Sequence, residues 1–191
     1  MSSLKCVIVG DGGVGKTWLI TTFITNESPQ AYLPTVFDNF TATIQYKNKR
    51  HVLSLWDTSG QEEYSQLRAL SYPQTDVFIL CYAVNNVVSF NNIKAKWYCE
   101  LKQFNKPILL VATKVDTRTN NTNNDMVTPE KGIDLQKKLH INDFIECSAL
   151  KKTKIKEVFE KAIECTYKSK KRSSFFSSCF GCCCHKTAVK N

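Results

Sequence analysis

No stretch of this sequence approaches the ~20 apolar residues that span a bilayer. The opening MSSLKCVIVGDGG lacks the apolar run of a secretion signal. The expected location is therefore the cytoplasm. The cysteines argue against a disulfide framework: the nine are odd in number, and five of them (Cys6, Cys81, Cys99, Cys147 and Cys165) stand singly within apolar runs, as small buried hydrophobes do. Acidic residues are absent from Lys168 onward, where six basic residues gather, so that of a net charge of +9 only +3 belongs to the rest of the chain. A basic balance confined to one end gives no reason to expect nucleic acid as a partner. No internal repeat is visible. From Thr117 to Asp125 the segment TRTNNTNND holds no apolar residue, which predicts a mobile surface loop.

What is present suits one globular domain with a short appendage: 191 residues, 42% of them hydrophobic. Short apolar runs recur as CVIV (6–9), VLSLW (52–56), VFILCYAV (77–84), ILLVA (108–112) and FIEC (144–147), and read as buried strands. Between them lie helical stripes: Phe90, Ile93, Trp97, Leu101 and Phe104, then Ile155, Val158, Phe159, Ala162 and Ile163. Strands alternating with helices predict an α/β protein with a parallel sheet. TATIQY (41–46), joined by a turn KNKR (47–50) to the next strand, predicts an antiparallel edge hairpin. Thr128 before Pro129 reads as a helix N-cap with proline in the first turn.

The first predicted strand runs into GDGGVGKT, which is Gly10, Asp11, Gly12, Gly13, Val14, Gly15, Lys16 and Thr17, a match to GxxxxGK[ST] between strand and helix. Backbone amides of such a loop converge on phosphate oxygens, the lysine reaches the terminal phosphates, and the threonine hydroxyl can ligate Mg²⁺. Two later segments favour guanine as the base. In TKVD (Thr113, Lys114, Val115, Asp116) the carboxylate of Asp116 can accept hydrogen bonds from guanine N1 and N2, a donor pair that adenine lacks. In CSAL the backbone of Ser148, Ala149 and Leu150 can meet O6. Either segment alone also reads as an ordinary turn or cap; both follow strands, where open sheets bind ligands. WDTSGQEEY ends a further strand and offers Asp57 to hold Mg²⁺ through water, Gly60 to donate its amide to a γ-phosphate, and Gln61 to orient a water; a helix cap is the structural alternative for Asp57.

In the order and spacing of these motifs the chain resembles the small GTPases. With YLPTVFDNF, LWDT, SYPQTDVFIL and KWY it is similar to their Rho family, nearest its Rac branch, over residues 4 to 168. The resemblance implies a P-loop NTPase fold: a six-stranded, mostly parallel sheet with one antiparallel edge strand and five helices. Residues 1–168 would form the domain and 169–191 a basic, cysteine-rich, disordered tail. It implies a monomeric switch that hydrolyses GTP to GDP slowly. Its catalytic residues would be Lys16, Thr35, Gly60 and Gln61, and Thr17, Thr35 and Asp57 would hold Mg²⁺. Trp18 would lie beside the α-phosphate as a packing variant. Effectors would read switch I (Tyr32, Val36, Phe37, Asp38, Asn39, Phe40) with Leu67 and Leu70 of switch II, and Trp56 would help to select exchange factors. Gly12 leaves room for Gln61 and for an arginine from a GTPase-activating partner, since no internal arginine is placed to serve. Control of actin, polarity or vesicle traffic is the implied role.

The chain also departs from that family. Ser28 replaces a phenylalanine that packs against guanine, which predicts fast GDP release unless Pro29 or Tyr32 covers the base. This opens a second reading, a membrane adaptor loaded with GTP for which hydrolysis is incidental; a nucleotide kinase is a third, disfavoured by Asp116. Ser59 replaces an alanine and would alter Gly60, accept a phosphoryl group or do nothing. Residues 117–127 are too few and too polar for the helix that Rho proteins insert there. The ending AVKN has no cysteine fourth from its end, which excludes prenylation by that route. The remaining features, Lys168, Lys170, Lys171 and Arg172 followed by Cys179, Cys182, Cys183 and Cys184, predict S-acylation and attachment to an anionic membrane on its cytoplasmic face. CFGCCCH as a zinc site and an unmodified tail are the alternatives.

Overall fold

The computed structural model describes residues 2–27, 35–120 and 126–179. Its strands are β1 (Ser2–Val9), β2 (Phe37–Tyr46), β3 (Lys49–Thr58), β4 (Val77–Ala83), β5 (Ile108–Thr113) and β6 (Asp143–Glu146). They form one sheet in the order β2-β3-β1-β4-β5-β6. Only the β2–β3 pair is antiparallel.

β1 shows why the sheet is central. Leu4, Cys6 and Ile8 enter one core, Val7 and Val9 the other, so both faces are covered and the strand reads as a continuous apolar run. α1 (Lys16–Thr25) and α6 (Ile155–Cys179) pack on the first face. There Phe23 stacks on Phe159 with ring centroids 4.0 Å apart. The opposite face is closed by a rod made of α3 (Val87–Asn92), a π-helical turn (Ile93–Trp97) and α4 (Tyr98–Leu101). Its stripe Ile93, Trp97 and Leu101 is fully buried, as the spacing predicts. With α2 (Ser65–Leu70) and α5 (Pro129–Lys138), the described helices amount to five rods. The Thr128 hydroxyl caps α5 by accepting the Lys131 N–H, and Pro129 stands in its first turn.

Four local expectations change. β2 starts at Phe37, four residues before the alternating TATIQY, because Phe37 to Phe40 pair with Thr58 to Leu55 although that end is largely exposed. The hairpin turn is only Lys47-Asn48, both with positive φ (48° and 58°), the hand that suits a two-residue hairpin. Asn favours that region; Lys does not advertise it. Cys99 is exposed, whereas Cys6, Cys81, Cys147 and Cys165 are buried free thiols as expected. Finally, α6 continues to Cys179, so residues 169–179, expected without structure, are helical. No glycine or proline interrupts that stretch before Gly181, and Glu164 pairs with Lys168 one turn on. No helix among the described residues is long and apolar enough to cross a membrane.

Candidate functional site

The strand order reverses about β1, which pairs with β3 on one side and β4 on the other. A crevice outside the carboxyl ends of the strands is expected there. The motif-bearing segments follow β1, β3, β5 and β6, and meet around a cleft of about 750 Å³.

The loop from Gly10 to Gly15 curls because it is glycine. Gly10 has φ +140°, and a Cβ there would lie 2.2 Å from the Cys81 carbonyl oxygen. Gly15 adopts φ 93° as it opens α1. The loop is held from outside. The Thr113 hydroxyl donates to the Val14 carbonyl at 2.5 Å, Lys114 Nζ to the Gly13 carbonyl at 2.6 Å, and Asn92 and the Trp97 indole N–H to the Asp11 carboxylate at 2.7 and 2.6 Å. Lys16 is buried, and its ammonium donates to the carbonyls of Gly10 and Asp11, both at 2.8 Å. Burial lowers its pKa, a cost that an anion in the cleft would offset.

Beneath the loop Thr17, Thr35 and Asp57 converge. Thr17 Oγ1 donates to Asp57 Oδ2 at 2.6 Å and lies 2.7 Å from Thr35 Oγ1. With its single proton given to Asp57, Thr17 accepts from Thr35. Asp57 Oδ1 is buried without a hydrogen-bond partner, and burial raises the carboxyl pKa. Two hydroxyls beside an orphaned buried carboxylate oxygen form a hard-oxygen set that fits Mg²⁺.

Ser59, Gly60 and Gln61 approach from the end of β3. A Cβ on Gly60 would meet Asp11 C and Gly12 N, each at 2.3 Å, so this position lies directly on the phosphate loop. Ser59 is buried; its hydroxyl accepts the Gln61 N–H at 3.3 Å and its own N–H donates to the Val36 carbonyl at 3.3 Å. Gln61 is exposed, and its Cγ lies 4.0 Å from a Cβ built on Gly12. No arginine is among the described residues that line the cleft.

At the other end Asp116, Thr117, Lys114, Ala149, Leu150 and Trp18 line the cleft. Ser148 does not: it is buried and its hydroxyl makes a short hydrogen bond to the Asp116 carboxylate. Val14 is likewise buried behind the loop. Val36, Phe37, Asp38, Asn39, Leu67 and Leu70 are exposed, and Phe40 is partly buried against the core. Trp56 holds Phe37 edge-on at 5.4 Å and carries Lys5 Nζ 3.8 Å from its ring centroid. Ser28, Pro29, Tyr32, Cys182, Cys183 and Cys184 lie outside the described residues.

Two groups escaped the sequence reading. Arg118, inside the expected loop, begins from a 3₁₀ turn (Val115–Asn120) and binds both carboxylate oxygens of Glu146 (3.0 and 2.7 Å) and the Val127 carbonyl (2.6 Å). It ties the segment after Asp116 to the strand before Ser148. Arg68, fully buried, donates to the carbonyls of Ser59 (2.9 Å) and Gln61 (3.2 Å) and meets Glu100 and Tyr72 on its other side. No local pattern marks either; the Arg-x-x-x-Tyr spacing of Arg68 and Tyr72 is the only visible hint.

A glycine-rich loop between β1 and α1 at the reversal point of an open sheet defines a P-loop nucleotide-binding protein. Residues 5–168 match the Ras family. The chain is 44% identical to the Ras-like GTP-binding protein RhoL of Drosophila melanogaster over 173 residues, 90% of each chain. It is 48% identical to the Ras-like GTP-binding protein RHO1 of Entamoeba histolytica over 170 residues, 88% of this chain and 78% of that protein. The chain belongs to the Ras family of small GTPases, and within it to the Rho type: a switch that binds GTP and GDP and hydrolyses the one to the other.

Proposed function

We propose that each part of this cleft has one task in a GTP-driven switch. The observation that carries the reading is the convergence on a single cleft of a buried lysine, the Thr17 and Thr35 hydroxyls with the Asp57 carboxylate bonded behind Thr17, and the Asp116 carboxylate. Loop amides from Gly12 to Lys16 bind the phosphate chain, and Lys16 neutralises its terminal oxygens. Asp116, oriented by Ser148, accepts from guanine N1 and N2, and the Ala149 and Leu150 backbone meets O6. Thr17 and Thr35 would hold Mg²⁺ directly and Asp57 through water; the ion supplies positive charge against that developing on the transferred phosphoryl group.

Gln61 orients water, and Gly60 and Thr35 sense the γ-phosphate. Ser59 links the two switches, because its backbone binds Val36 while its hydroxyl holds the Gln61 N–H. Loss of the γ-phosphate frees Thr35 and Gly60, and the Val36–Ser59 bond carries the change between them. The Ser59 hydroxyl is buried and engaged, which supports a part in positioning Gln61 over service as a phosphoryl acceptor.

The exposed apolar group of Val36, Phe37, Leu67 and Leu70 is the effector surface, and Trp56 with Phe37 adjoins the face that exchange factors read. An activating partner supplies the arginine. Acylation of Cys179, the last residue of α6, and of Cys182, Cys183 and Cys184 after it, together with the basic run at 168–172, holds the switch at an anionic membrane, where it serves actin, polarity or traffic. The test of the nucleotide reading is binding of GTP with and without chelation of Mg²⁺. Tight binding that weakens on chelation is expected, and ATP displacing GTP at equal concentration would contradict it.

A further inference from the structure

We infer that the Trp18 indole is itself a contact of the bound nucleoside, packing against ribose and purine and setting how long the nucleotide stays. The inference rests on the nucleotide reading above. Trp18 follows Thr17 in the first turn of α1. Its side chain is only partly covered and lines the same cleft as Lys114, Asp116, Thr117 and Leu150. Among the described lining residues it is the only aromatic ring.

The other two tryptophans are occupied within the fold. Trp97 is fully buried with its N–H on Asp11, and Trp56 donates to Ser54 beneath the Lys5 ammonium. Trp18 instead is partly exposed and lines the cleft that Asp116 also lines. A planar heterocycle seated there removes that exposed surface from water and gains ring contact. Trp18 is thus more than a packing variant, and it supplies an aromatic surface from α1.

The test uses the full chain loaded with GDP labelled on the ribose by a methylanthraniloyl group, at millimolar Mg²⁺, with tritiated GDP as an unlabelled-ring control. Trp18→Ala should release GDP about tenfold faster than the native protein. It should also lose most of the energy transfer from tryptophan to the label. Trp18→Phe, which keeps a ring, should release within about twofold of the native rate. Native-like release from Trp18→Ala would overturn the inference. Equally fast release from the Ala and Phe variants would overturn it too, since Trp18 would then act through helix packing. If the native protein retains no guanine nucleotide, the reading of the whole site fails; if it retains GDP as long as Trp18→Ala does, this inference alone fails.

Discussion

Asp57 carries a cost that a cation would relieve. Burial holds its folded pKa above the ordinary 3.8, so at neutral pH the ionised carboxylate destabilises the metal-free fold, and that penalty fades as pH falls through the folded value to the unfolded one. Asp57→Asn should therefore raise the melting temperature of nucleotide-free protein in chelator at pH 7, with the gain shrinking toward pH 4. The same variant should bind GTP with little response to Mg²⁺. Gly60 is constrained by contact: a methyl group cannot lie 2.3 Å from Asp11 C and Gly12 N. Gly60→Ala should retain GDP yet hydrolyse GTP at least about tenfold more slowly, read as phosphate release, because the switch can no longer close on the loop. At Asp116 an amide would turn one acceptor into a donor facing guanine N–H. Asp116→Asn should weaken GDP binding by about 100-fold, measured by equilibrium titration.

At the scale of elements, the parallel strands and the two buried helical stripes were legible because burial on both faces leaves unbroken apolar runs and a 3.6-residue period. The start of β2 was not, since Phe37 to Phe40 owe their strand to backbone pairing with β3 and leave their side chains largely in water. The phosphate loop, Asp57, Gln61 and Asp116 were legible because their spacing is local. Ser148 as the orienter of Asp116, and the Arg118–Glu146 clamp, depend on residues 32 and 28 positions apart meeting in space. That clamp ties the segment after Asp116 to the strand before Ser148. Arg118→Ala removes a bidentate pair whose side chains are mostly covered, together with the bond to Val127, a loss of about 1 kcal/mol that should make GDP release roughly fivefold faster. Hydrolysis from the loaded state should be unaffected, which single-turnover phosphate release would establish.

For the whole molecule, the sheet divides labour. One end of the strands carries the cleft, while α6 runs on to Cys179, ahead of the three remaining cysteines of the sequence. If thioester lipids anchor that terminus, hydroxylamine should free the protein from membranes, and the variant with Cys179, Cys182, Cys183 and Cys184 all changed to serine should stay unbound; binding that persists in the variant would refute acylation. The central claim is that one cleft joins a phosphate loop to a guanine reader. It is tested most directly by competition: full-length protein carrying fluorescent GDP at millimolar Mg²⁺ is challenged with unlabelled GTP, GDP, ATP and ADP. Displacement by the guanine nucleotides at near-stoichiometric concentrations, with ATP and ADP ineffective at more than about 1,000-fold excess, is the predicted result. Equal displacement by adenine nucleotides would contradict the assignment of Asp116 and, with it, the account of the site.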